Sequence, residues 1–175
     1  KVEQANFEPL REIVQRYNRH QAFVGLSLRL NSSSPFLFIG DRWGYNEELL
    51  KQFALENNIA IPTDPKQRAT LLAGPARFRF INWRAKQLTS SYAKAAQSLA
   101  AENEKFKLYF NVMHLLNRAA NETDFIDSEL ASRTPQQLLL GYGIDPESVV
   151  NHRSLAITHG VVRQAKQTLS SSEWF

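Results

Sequence analysis

The stretch Phe36-Leu37-Phe38-Ile39-Gly40-Asp41-Arg42-Trp43-Gly44-Tyr45-Asn46-Glu47 concentrates side chains able to do chemistry. Trp43 and Tyr45 offer flat apolar faces suited to the C–H surface of a pyranose, and Asp41, Arg42 and Asn46 offer hydrogen-bond partners for its hydroxyls. These residues also have plain structural uses: Trp43 as a plug against a sheet, Asp41 and Asn46 as turn and cap residues. A second group stands at the ends of apolar runs. Arg29 and Asn31 follow the first run, Asn111 and His114 the second, and Thr158 and His159 the third. If the runs are parallel strands, these side chains gather at one mouth, where α/β folds bind ligands. Glu47 and Glu48 fall in the first turn of a helix, where the helix dipole accounts for them.

Other chemistries lack their residues. There is no Gly-x-Gly-x-x-Gly, no phosphate-binding loop of the Walker type and no Gly-x-Ser-x-Gly elbow. Gly141-Tyr142-Gly143 reads as a helix stop. His20, His114, His152 and His159 show no metal-ligand spacing, and the chain has no cysteine, so no metal and no cofactor is expected. The run Arg77 to Lys86 mixes cations with aromatic residues and is the best nucleic-acid candidate. At helical phase its cations spread around an arc instead of converging, which favours a solvated helix face and no nucleic-acid partner.

The elements that must position these groups follow from length and pattern. The chain has 175 residues with 43% hydrophobic and 22% charged residues, a net charge of +4 and only seven glycines and seven prolines. That is ordinary globular composition for about one domain. No apolar run approaches the ~20 residues of a membrane span. The first residue is Lys1 with no leader-like stretch behind it, which suggests a piece of something longer, from a compartment the composition leaves open.

Helical spacing runs from Val2 to His20, then the strand Phe23 to Leu30. Asn46 caps a helix carrying Leu49, Leu50, Phe53 and Ala54; Asp64-Pro65 and Gly74-Pro75 open helices over Pro65 to Ala73 and Pro75 to about Asn103. On the long helix Phe78, Ile81, Ala85, Leu88, Tyr92, Ala95, Ala96 and Leu99 form a core-facing stripe, with Trp83 nearly opposite, to be covered by a neighbour or exposed. A second strand spans Lys107 to Met113 and a third Ser154 to Thr158. Short helices fill Leu115 to Ala120, Phe125 to Ser132, Pro135 to Leu140 and Pro146 to Val150. Strands apolar at nearly every position imply burial on both faces. The fold class is α/β with parallel strands alternating with helices, as a single domain over 1–175: a small open sheet or part of a (β/α)8 barrel.

Phe23-Val24-Gly25-Leu26-Ser27-Leu28-Arg29-Leu30, Gly40-Asp41-Arg42-Trp43-Gly44-Tyr45, Ala73-Gly74-Pro75, Ile81-Asn82-Trp83-Arg84-Ala85 and Leu108-Tyr109-Phe110-Asn111 together resemble large bacterial proteins classed as family-10-like glycosyl hydrolases. The resemblance implies a partial (β/α)8 barrel, this chain being its later portion, that acts on or binds carbohydrate and packs against other parts of a parent chain. Glycoside hydrolysis uses two carboxylates. The stretch where related barrels carry the acid ends here in Arg29-Leu30-Asn31, without Asp or Glu. Hydrolysis with a partner carboxylate from outside the chain and non-catalytic glycan binding or interdomain packing therefore both remain open. Arg29, Asn31, Trp43, Tyr45, Asn111, His114 and His159 are the expected sugar contacts, with Asp41 as the catalytic candidate.

Overall fold

The computed structural model describes residues 2–31, 34, 37–38, 44–101, 103, 105–116 and 134–159, with side chains from residue 7 onward. In chain order these residues form α1 (Val2–Tyr17), β1 (Gly25–Arg29), α2 (Glu47–Asn57), α3 (Pro65–Ala73), α4 (Arg77–Ala100), β2 (Lys107–Asn111), α5 (Met113–Leu116), α6 (Pro135–Gly141), α7 (Pro146–Val150) and β3 (Leu155–Thr158). The helix starts lie where local chemistry puts them. Asn46 Oδ1 accepts from Leu49 N at 2.9 Å, and Asp64 Oδ1 accepts from Gln67 N at 2.9 Å. Thr134 and Gln137 close a reciprocal capping box ahead of Pro135. Asp145 caps α7, and its own N–H reaches the buried hydroxyl of Thr89 on α4 at 2.9 Å. The expected helix over 125–132 lies outside the described residues, as do 117–120.

The three strands form one parallel sheet in the order β1-β2-β3. Sequential parallel order with right-handed crossovers puts every crossover helix on the same face. The burial agrees. Leu30, Leu108, Phe110, Val112 and Leu155 are buried in one cluster with Leu10 and Val14 of α1, Tyr92, Ala96 and Leu99 of α4, Leu115 of α5, Leu139 of α6 and Val149 of α7. Leu26, Leu28 and Ile157 pack against it. The alternate residues, Gly25, Ser27, Arg29, Lys107, Tyr109, Asn111, Ala156 and Thr158, have the opposite parity and belong to no core cluster among the described residues.

This corrects the expectation of strands buried on both faces. From Gly25 onward β1 alternates leucine with non-apolar residues and β2 alternates in burial from Lys107, so among the described residues helices cover one face and none covers the other. The strands are also shorter than expected, because Asn111 Oδ1 accepts from Met113 N at 3.2 Å and turns the chain into α5. The described sheet has three parallel strands and is broadly α/β.

A second cluster joins Leu50 and Phe53 of α2, Leu72 of α3, Ala76, and Phe80 and Trp83 of α4. Phe80 is its hub, with ring centroids at 4.9 Å from Tyr45, 5.0 Å from Phe53 and 5.9 Å from Trp83. Helix α4 is thus buried on two sides, toward the sheet through Tyr92, Ala96 and Leu99 and toward α2 and α3 through Phe80 and Trp83. That moves Phe78 out of the core, where it is 71% exposed, and brings Phe80 in at 0%. Trp83, expected opposite the stripe, is covered by α2: its indole Nε1 donates to Glu56 Oε2 at 2.6 Å. Glu56 also accepts from Gln87 at 2.8 Å and from Gln52 at 3.0 Å. These contacts, the Trp83 indole first and then Gln52, hold the carboxyl below its ordinary range.

The solvated-face expectation also fails at Arg84, which is fully buried. Its guanidinium donates to Gly141 O at 2.8 Å and lies 4.4 Å over the Phe38 ring. Phe38 N in turn donates to Tyr142 O at 3.0 Å. Gly143 adopts φ +90°, and a Cβ there would stand 2.6 Å from Phe38. Arg84 therefore clamps three segments together: the middle of α4, the chain after β1 and the turn after α6.

Candidate functional site

The sheet register sets the first feature of the site. Arg29 pairs with Asn111, and Asn111 with Thr158, so the last residues of all three strands stand in one row on the open face. Backbone bonds fix this end, with Leu30 N donating to Asn111 O at 2.9 Å and Val112 N donating to Thr158 O at 3.1 Å. The Thr158 hydroxyl donates to Phe110 O at 3.4 Å. The expectation that the three strand ends converge holds for Arg29, Asn111 and Thr158.

His114 joins the row from the first turn of α5 and not from a strand end. Arg29 Nε donates to His114 Nε2 at 2.9 Å, and a terminal guanidinium nitrogen of Arg29 contacts the same atom. Arginine has only donors, so His114 Nε2 must be the acceptor. The contact orients the guanidinium and leaves its remaining N–H groups for an acceptor beside Asn111. Chemically the row combines a fixed cation, an amide, a hydroxyl and an imidazole. That set can bind hydroxyl and carboxylate oxygens. It cannot by itself donate a proton as a carboxylic acid does, since β1, β2 and β3 contain no Asp or Glu.

Other expected site residues are placed differently. Asn31 follows β1 and closes a local turn, its backbone N–H donating to Ser34 Oγ at 3.0 Å while Ser34 Oγ donates to Asn31 Oδ1 at 3.3 Å. His159 is exposed, one residue past the row. Tyr45 belongs to the second cluster, its ring stacked on Phe80 with an interplanar angle of 27°. Asp41 and Trp43 lie outside the described residues. Their segment is bounded by Phe38, tied to Tyr142, and by Gly44 at φ +85°, where a Cβ would stand 3.1 Å from both Arg84 and Phe38.

An open groove of about 770 Å³ lies elsewhere, lined by Leu50, Ala54, Leu55, Ile59, Ile61 and Pro62 among others. Arg68 at its rim donates to the carbonyls of Pro62 and Thr63, each at 3.1 Å, so it serves to shape the 58–63 segment. None of the strand-end residues lines this groove. Sequence reasoning missed Arg84 and the open-face residue Tyr109. Tyr109 lies between two buried residues of β2 and shares the parity of Lys107 and Asn111, a weak signal, and no local signal marks Arg84. No helix among the described residues is long and apolar enough to cross a membrane, and those residues hold no cluster of metal-ligating side chains. No family model, no curated protein and no solved structure matches the chain.

Proposed function

We propose that this chain recognises carbohydrate at the carboxyl ends of its parallel strands, through Arg29, Asn111, Thr158 and His114. The observation that carries this is the in-register Arg29–Asn111–Thr158 row with His114 anchored to the Arg29 guanidinium. Carboxyl ends of parallel strands are where α/β folds bind ligands, and a row of fixed donors and acceptors on an open face suits a polyhydroxylated ligand. The resemblance to family-10-like glycosyl hydrolases supports the same class. The resemblance also implies part of a (β/α)8 barrel, whereas the three-stranded sheet by itself suits a small open α/β sheet.

Hydrolysis is the second reading, and it rests on Asp41. In that role Asp41 protonates the glycosidic oxygen while a second carboxylate, supplied from outside this chain, attacks the anomeric carbon or activates water. The absence of Asp and Glu from the three strands favours recognition without turnover in the chain alone.

The test is a panel of soluble glycans offered to the whole chain, followed by affinity and reducing-end measurements. Binding without turnover is expected, weakened up to about tenfold by Asn111→Ala and by His114→Ala, the worth of one ligand hydrogen bond. Binding that neither variant alters would remove these residues from the site. Turnover that Asp41→Ala abolishes would establish the hydrolytic reading instead.

A further inference from the structure

We propose that the open face of the sheet binds a short run of acidic pyranose units, with Tyr109 stacking on a sugar ring and Lys107 and Arg29 taking sugar carboxylates. This deepens the strand-end reading, rests on it, and takes the sheet as a small open one, since the helix-free face inside a closed (β/α)8 barrel is packed core.

Tyr109 sits at the centre of β2 with open-face parity, half-buried and outside both core clusters. Its register partners are Ser27 on β1 and Ala156 on β3, both too small to cover a ring. Gly25 completes the arrangement. A Cβ there would lie 2.9 Å from Tyr109 Cε2 and would also press on the Lys107 carbonyl. The missing side chain is what lets the phenol ring lean over β1. An aromatic ring laid on a sheet between glycine, serine and alanine is a platform, and a pyranose presents the flat C–H face that stacks on one.

Charge sets the ligand class. Lys107, exposed, stands at the start of the open face in register with Gly25, and Arg29 stands at its end. At about 3.3 Å per residue the four steps from Gly25 to Arg29 span about 13 Å, which is room for two or three sugar units. No acidic residue lies on any of the three strands. A face carrying a cation at each end and no counter-charge of its own among strand residues complements an anionic ligand, not a neutral one. Two cations and one ring are few for a nucleic acid strand, which is tracked by many phosphate contacts and successive stacked bases. They match an oligouronate.

The test is calorimetric titration of the whole chain with short oligomers of galacturonate, glucuronate and mannuronate, each beside its neutral methyl ester. At least one acid oligomer is expected to bind tenfold or more tighter than its ester. Tyr109→Leu should weaken that binding tenfold or more and Tyr109→Phe less than twofold, while Arg29→Gln and Lys107→Gln each weaken it several-fold. Circular dichroism checks the fold of every variant; if Tyr109→Leu fails it, the exposed-site variants Arg29→Gln and Lys107→Gln decide. Equal affinity for acid and ester, still reduced by Asn111→Ala, would overturn the acidic class and leave the glycan site standing. No binding of any acid or ester by the folded chain would overturn both, and tighter binding of oligothymidylate than of any uronate would overturn the sugar class.

Discussion

Replacing Phe80 by alanine tests the two-sided burial of α4, because Phe78, two residues earlier, is the control. Phe80 is 0% exposed and its ring meets Tyr45, Phe53 and Trp83 at centroid distances of 4.9 to 5.9 Å. Truncating a buried phenylalanine removes its transfer free energy and leaves a partly collapsed cavity, about 3–5 kcal/mol. The alanine also forfeits all three aromatic pairings, each worth roughly 0.5–1.5 kcal/mol beyond area, which puts Phe80→Ala toward the upper end. For a chain of this length about 2–4 °C per kcal/mol converts that loss into a drop in Tm of about 6–20 °C. Phe78, 71% exposed, should cost no more than about 0.5 kcal/mol on replacement by alanine. Urea unfolding followed by tryptophan fluorescence reads both, since Trp83 lies in the same cluster, and an unchanged m-value confirms that the midpoint shift is stability. If Phe78→Ala destabilised more than Phe80→Ala, the single core stripe drawn from helical periodicity would be right and the second cluster wrong.

Three further outcomes are open to direct measurement. Arg84→Met should cost about 2–4 kcal/mol in urea unfolding, from the charge-assisted bond to Gly141 O and the stacking on Phe38, and Arg84→Lys should recover only part of it; a neutral Arg84→Met would show that the clamp holds nothing. Glu56, its carboxyl held below the ordinary range by the Trp83 indole and then Gln52, favours the fold while ionised; that contribution is complete above its unfolded pKa and disappears as pH falls through the lower folded value. Glu56→Gln should flatten this acid limb in urea midpoints measured against pH, and an unaltered limb would show that the bonds of Glu56 to Trp83 and Gln52 add nothing to stability. Burial pushes the Tyr92 phenol up, so the folded state keeps its proton after the unfolded chain has lost its own. Stability should fall above about pH 10 by up to about 1.4 kcal/mol per pH unit, and Tyr92→Phe should remove that slope; a Tyr92 that ionises with exposed tyrosines in absorbance titration would refute its burial.

Punctuation was the most legible part of the sequence. Asn46, Asp64, Thr134 and Asp145 cap helices as their local chemistry dictates, because a cap needs only its own next few residues. The parallel direction of the strands and the convergence of Arg29, Asn111 and Thr158 were readable because apolar strands separated by helices leave few topologies. The one-sided burial of the sheet was also written in the alternation of Leu26, Leu28 and Leu30 with Ser27 and Arg29, but the apolar density of Phe23 and Val24 just before it masks that period. The burial of Arg84 was not legible, and for Trp83 cover by a neighbour and exposure both stood open. One helix face shows a single stripe in sequence, whereas α2 and α3 arrive from outside the window and cover a second. The contact of Arg29 with His114 joins residues far apart in the chain, and its geometry comes from the sheet.

The most direct measurement is a two-dimensional amide and imidazole NMR titration of the whole chain with the tightest-binding glycan from the panel. Shifts confined to Arg29, Ser27, Tyr109, Asn111, Thr158 and the His114 ring, with α2 and α3 silent, are the expected result. Shifts centred on the groove beside Leu55 and Ile61, with the strand ends unmoved, would place the binding surface elsewhere and end the case for the open sheet face.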